Sequence, residues 1–162
     1  MKRLVIAALL LLATPAMAGQ VKPLTTSGVA ALLKAPSQGA KVIEFWALDC
    51  AYCEANMKAV AALKARRPNM QVILVATDNI AHAKALDKRL ADMGVTHLPA
   101  RAYAGASRQR LDYLIDPDWG GITPRTLVIH ADGTRRSAVG ALTPARLREL
   151  TRFPRIPAKK PG

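Results

Sequence analysis

The chain has two cysteines, Cys50 and Cys53, and only Ala51-Tyr52 lies between them. They fall where one hydrophobic pattern replaces another. Before them, Lys41 to Ala47 carries Val42, Ile43, Phe45 and Trp46, a β-branched and aromatic density that reads as a buried strand. After them, Met57, Val60, Ala61 and Leu63 recur at helical spacing, with Lys58 and Lys64 outside that stripe. A Cys-x-x-Cys pair at a strand-to-helix junction either closes a tight disulfide or shares a metal. It restrains too little chain to serve mainly as a staple, so its expected use is chemical. On this reading Cys50 stands at the helix N-terminus and Cys53 one turn inside. The helix dipole and unpaired N–H groups then favour a thiolate at Cys50.

The first residues bear on the redox setting. Lys2 and Arg3 precede the uncharged apolar run Leu4 to Ala13, and Ala16-Met17-Ala18 is a small-x-small cleavage pattern. This reads as a signal peptide over residues 1–18, cut after Ala18. The apolar run is about half of the roughly 20 residues a membrane-spanning helix needs. Export implies an oxidising compartment, the periplasm. Residues 19–151 are then one domain, and 152–162 form a basic, proline-rich tail. The net charge of +13 falls to about +11 on the mature chain, which suits an acidic protein partner or an anionic membrane face. No nucleic-acid-binding motif accompanies the charge and aromatic residues are sparse, so nucleic acid is not an expected partner.

Along the rest of the chain, Gly19 to Thr26 reads as polar and extended. Ser27 to Lys34 reads as a short helix stopped by Pro36. Val72 to Ala76 is a charge-free strand of the kind found inside parallel sheets. Thr77-Asp78-Asn79 turns into a helix with Ile80, Ala83, Leu86, Leu90 and Met93 on one face, ended by Gly94. Val95 to Gly121 is irregular and basic, with a short strand expected at Leu111 to Ile115. Thr126 to Ile129 and Arg135 to Val139 flank the turn Ala131-Asp132-Gly133, and Thr143-Pro144 opens a last helix. The order fits an α/β fold, a mixed central β-sheet flanked by helices.

Ile43-Glu44-Phe45-Trp46-Ala47-Leu48-Asp49-Cys50-Ala51-Tyr52-Cys53 resembles the active-site segment of the thioredoxin superfamily. Ile122-Thr123-Pro124-Arg125-Thr126-Leu127-Val128-Ile129 resembles its second landmark, a cis-proline facing the disulfide. The likeness runs from about Lys41 to Leu150 and is greatest to exported TlpA/ResA-like thiol-disulfide oxidoreductases. It implies a thioredoxin-like fold and thiol-disulfide exchange without a cofactor. Cys50 would be the nucleophile and Cys53 the resolving thiol. Glu44 would be a buried acid exchanging a proton with Cys53. Thr123 and Pro124 would form a docking edge for substrate, with Trp46 and Tyr52 beside it. The implied partners are protein substrates with disulfides or thiols, such as apocytochrome c or copper-site proteins, and a membrane thiol transporter as electron donor.

The segment also departs from the family. Asp49 replaces the usual tryptophan before the first cysteine, and Tyr52 replaces the common proline. The resemblance implies reduction as the task, and these two departures keep an oxidase or isomerase as the alternative direction. A copper-binding chaperone using the same cysteines is a further alternative, in which His97 could approach the pair; His82 and His130 lie elsewhere in the sequence. Trp119 reads equally as a surface recognition residue or as the plug of the irregular segment.

Overall fold

A computed structural model describes residues 21–153. Its order is β1 (Lys22–Leu24), α1 (Thr26–Leu33), β2 (Ala40–Trp46), α2 (Cys53–Arg66), β3 (Gln71–Asn79), a 3-10 turn (Ile80–His82) and α3 (Ala83–Asp92). β4 (Ala100–Tyr103), α4 (Arg108–Ile115), β5 (Arg125–His130), β6 (Arg135–Val139) and α5 (Pro144–Leu150) follow. The expected signal peptide, and the tail beyond Phe153, lie outside the described residues.

Among the described residues six strands form one mixed sheet in the order β1-β4-β3-β2-β5-β6. β1, β4, β3 and β2 run parallel, while β5 and β6 are antiparallel to their neighbours. β2 is central and every residue in it is buried, so its near-continuous apolar run is what a strand covered on both faces requires. Strand alternation divides it between two cores. Val42 and Trp46 face α2, α3 and α5 through Met57, Val60, Leu86, Leu90, Leu147 and Leu150. Ile43 and Phe45 face α1 and α4 through Val29, Leu32, Leu111 and Ile115. Full burial of a side chain such as Phe45 contributes about 1.5–3 kcal/mol, which fixes the register of β2 and the side of the sheet to which Glu44 turns.

The capping chemistry reads through from sequence to structure. Thr143 Oγ1 accepts from the Arg146 N–H, and Pro144 occupies the first helical turn. Gly94 takes φ +71° where α3 ends, a conformation costly for any side chain with a Cβ. Lys41, buried at the start of β2, donates to the Leu32 and Lys34 carbonyls that α1 leaves unpaired.

The stretch around Lys22, expected to be extended, is a short edge strand held to β4 over three residues. Three expectations need correction. Thr77 and Asp78 continue β3, and only Asn79 caps the following turn, through the Ala81 N–H at 2.9 Å. Leu111 to Ile115 is helix, not strand. Ser107 caps α4 by accepting from the Arg110 N–H, and Leu111 and Ile115 face the core one turn apart. The segment read as irregular also contains β4, which continues the sheet beyond β3.

Candidate redox site

β2 ends at Trp46, and the chain turns through Ala47 to Tyr52 before α2 begins at Cys53. Two bonds hold this turn: the Cys50 N–H donates to the Ala47 carbonyl at 3.2 Å, and the Leu48 N–H donates to Asp78 Oδ2 at 3.0 Å. Cys50 therefore lies in the turn ahead of the helix, and Cys53 is its first residue. The cysteines stand about one turn earlier relative to the helix than the sequence suggested. They form a disulfide with Cα atoms 5.5 Å apart. Cys50 is half-buried, while Cys53 is 2 % exposed and packs in the α2-side core. No side chain caps the first turn of α2 and the Cys53 N–H donates to the Cys50 carbonyl at 3.4 Å, so Cys50 lies at the end of the helix whose dipole favours negative charge. Asp49 and Tyr52 are exposed, Tyr52 by 66 %.

Glu44 lies inside the sheet with no exposed surface, on the same face as Trp46. Its Oε1 accepts from Asn56 Nδ2 at 3.1 Å, and its Oε2 accepts from the Thr126 hydroxyl. Burial pushes its pKa up to about 7, and the hydrogen bonds from Thr126 and Asn56 only partly oppose that. A carboxyl placed in this way can hold or release a proton near neutral pH.

The Thr123–Pro124 peptide bond is cis. Pro124 is buried, Thr123 half-buried and Ile122 63 % exposed. The Pro124 carbonyl accepts from the Gly140 N–H at 2.8 Å, and the Gly140 carbonyl accepts from Asn56 Nδ2 at 3.0 Å. Asn56 lies one turn beyond Cys53, so two hydrogen bonds link the proline segment to the start of the cysteine helix. Gly140 adopts φ +89° at this crossing, which favours glycine.

The remaining candidates separate cleanly. Trp46 is 1 % exposed, a core side chain that offers no surface to a docking chain. Trp119 is also buried; it packs on Phe45 at 4.8 Å, its Nε1 donates to the Ile122 carbonyl, and the Arg125 guanidinium lies over its ring. It is the plug of its loop and not a surface residue. His97 precedes β4, and His130 ends β5 level with Ala40; both stand at the end of the sheet away from the cysteines. Among the described residues no three or more His, Cys, Asp or Glu side chains gather to hold a metal.

Sequence reasoning missed Asn56 and Asp78. Asn56 falls three residues after Cys53, beside Met57 and Val60 on the buried face of α2. A polar residue within an apolar helical stripe was the available signal.

No family model and no curated protein matches the sequence. Solved structures do match the fold. A thioredoxin-related protein from Neisseria meningitidis serogroup B is 23 % identical and superposes with a TM-score of 0.57, covering 73 % of this chain and 84 % of that one. A secreted Mycobacterium tuberculosis disulfide oxidoreductase homologous to E. coli DsbE is 17 % identical, with a TM-score of 0.55 over 71 % of this chain and 82 % of that one. A thiol:disulfide interchange protein of the thioredoxin family from Chlorobium tepidum is 19 % identical, with a TM-score of 0.54 over 75 % and 81 % of the two chains. At these identities the likeness is one of architecture, and the six-stranded mixed sheet with its flanking helices is a thioredoxin-like fold.

Proposed function

We propose that this chain is a periplasmic thiol-disulfide oxidoreductase that reduces disulfides in protein substrates. One observation carries the reading: a Cys-x-x-Cys disulfide opens a helix whose next turn is hydrogen-bonded to a buried, uncompensated carboxyl. A disulfide that served only as a staple would have no need of such an acid. The names of similar folds, a secreted disulfide oxidoreductase and a thiol:disulfide interchange protein, support the same chemistry. The apolar run at Leu4 to Ala13 supports export.

In the reduced protein, the Cys50 thiolate attacks one sulfur of a substrate disulfide, and the other sulfur leaves as a thiolate. The mixed disulfide places Cys53 next to act. Ionised Glu44 takes the Cys53 proton, and the Cys53 sulfur attacks Cys50 Sγ. The substrate's second sulfur leaves as a thiol or thiolate. The substrate gains two electrons, and Cys50–Cys53 returns as a disulfide. Thr123, half-buried beside Pro124, presents its backbone to the substrate chain, and the exposed Ile122 before it and Tyr52 before Cys53 offer apolar surface. Apocytochrome c and copper-site proteins are the substrate class proposed, and a membrane thiol transporter restores the dithiol.

Cys50→Ser should abolish reduction of insulin disulfides, whereas Cys53→Ser should accumulate mixed disulfides with its substrates. Equal residual activity in both variants would overturn the assigned roles. A reduction potential near the about −120 mV of strong oxidants would replace the reductase reading with an oxidase. Tight copper binding by the reduced protein without insulin reduction would replace exchange with metal handling.

A further inference from the structure

We propose that Asn56 is the positioning residue that decides which oxygen of Glu44 carries the proton, through an amide whose orientation the backbone fixes. The inference rests on the reading of Glu44 as the proton acceptor for Cys53.

Asn56 has no exposed surface and makes three hydrogen bonds. The Leu142 N–H can only donate, and it meets Asn56 Oδ1 at 2.8 Å. The Gly140 carbonyl can only accept, and it meets Nδ2 at 3.0 Å. Turning the amide over would set donor against donor and acceptor against acceptor, so one orientation satisfies both backbone groups. The second Nδ2 hydrogen then points at Glu44 Oε1, 3.1 Å away. Facing an N–H in either protonation state, Oε1 always accepts, and a proton on it would confront a donor.

Only Oε2 is left to bind the proton, and its partner is the Thr126 hydroxyl. A hydroxyl both donates and accepts. It donates to ionised Glu44 and accepts from neutral Glu44, so one hydrogen bond reverses while the Asn56 bond stays unchanged. The influences on Glu44 are burial and these two bonds, with no charged side chain from β2, β5 or α2 among them. The first turn of α2 carries two titratable groups: Cys53, once reduced, and Glu54, which pairs at the surface with Lys58 and Arg89. Asn56 thus supports the carboxylate without a counter-charge. Its amide is also bonded to the glycine that holds the Pro124 carbonyl, so one side chain ties the proton site to the docking segment.

The test is a pH titration of the Glu44 side-chain carbon by NMR in the full chain, alongside the pH profile of single-turnover disulfide reduction. Asn56→Ala removes a donor to the ionised form, so the Glu44 midpoint should rise by about one pH unit. Asn56→Leu keeps the approximate size of the side chain and removes the same donor without adding a charge. It should move the midpoint the same way and fills the space that the alanine variant leaves empty. An unchanged Glu44 midpoint in the folded variants overturns the role of Asn56. A raised midpoint with an unmoved kinetic profile supports Asn56 and overturns Glu44 as the proton acceptor. A parallel rise in both supports the two together.

Discussion

β5 carries Arg125 and Thr126 side by side, and strand alternation sends them to opposite faces of the sheet. Each face then buries an ionisable group on different terms. On the α2 face Glu44 has neutral partners only, Asn56 and Thr126, and its pKa rises to about 7. On the α4 face Arg125, 3 % exposed, has a counter-charge in Asp116 and an aromatic lid in Trp119. Burial alone would push Asp116 up, but its bond from Arg125, the Asp118 N–H and the charges of Arg125 and Arg135 carry its pKa below the ordinary carboxylate value. A buried charge with a partner belongs to architecture, whereas a buried acid denied one is left to titrate.

The two sites should therefore pull stability in opposite pH directions. Glu44, raised in the folded chain, costs stability as pH climbs from about 4.5 towards 7, where the unfolded carboxyl has already ionised. Asp116, depressed, contributes stability above its unfolded value that is lost as pH falls through its folded one. The largest effect is expected from Asp116→Asn, which strands a buried guanidinium whose Nε and Nη1 have no partner. Denaturant unfolding at pH 7 should show a loss of about 3 kcal/mol, and a loss under 1 kcal/mol would erase the contrast between the faces. Glu44→Gln should do the reverse. The shift from 4.5 to about 7 corresponds to about 3 kcal/mol against ionised Glu44. The variant should gain about 2 kcal/mol at pH 8, little at pH 4, and exchange disulfides more slowly. Unchanged stability at pH 8 would mean that Glu44 is not the uncompensated group.

Smaller effects sharpen the comparison. Trp119→Phe keeps most of the packing on Phe45 but removes the bond to the Ile122 carbonyl and weakens the face under Arg125. It should cost about 1 kcal/mol in chemical denaturation. Thr126→Ser retains the hydroxyl at Glu44 Oε2 but loses a fully buried methyl group, so it should cost about 1 kcal/mol with an unmoved Glu44 titration. A displaced titration would mean that the methyl group, not the hydroxyl, sets the site.

The α2 face was far more legible in the sequence than the α4 face. Ile43 to Trp46 announces a two-sided buried strand, and Met57 and Val60 announce the helix. Glu44 stands out because a lone acid within such a strand has no ordinary reason to be there. On the other face Asp112 disguised α4. It is buried and accepts the Tyr103 hydroxyl at 2.7 Å, so a polar residue lies among the inward positions and interrupts the apolar stripe that would mark a helix. β1 and β4 are three and four residues long, too short for periodicity to register. Asn56 was hidden for another reason: its backbone partners Gly140 and Leu142 lie 84 and 86 residues away, and no local pattern encodes a bond across that distance.

The rims of the sheet have a consequence for how the molecule meets other chains. Among the described residues β1 and β6 are its outermost strands. An unpaired strand edge templates the addition of foreign strands and so seeds aggregation. Here one rim is three residues with Lys22 and Pro23 exposed, and the other begins with the exposed pair Arg135-Arg136. Proline withholds a donor and the cations repel a second basic copy, so both borders resist recruitment. A protein proposed to act on cysteine-bearing substrates at the Thr123 edge would then meet them without its sheet becoming a nucleus for their co-aggregation.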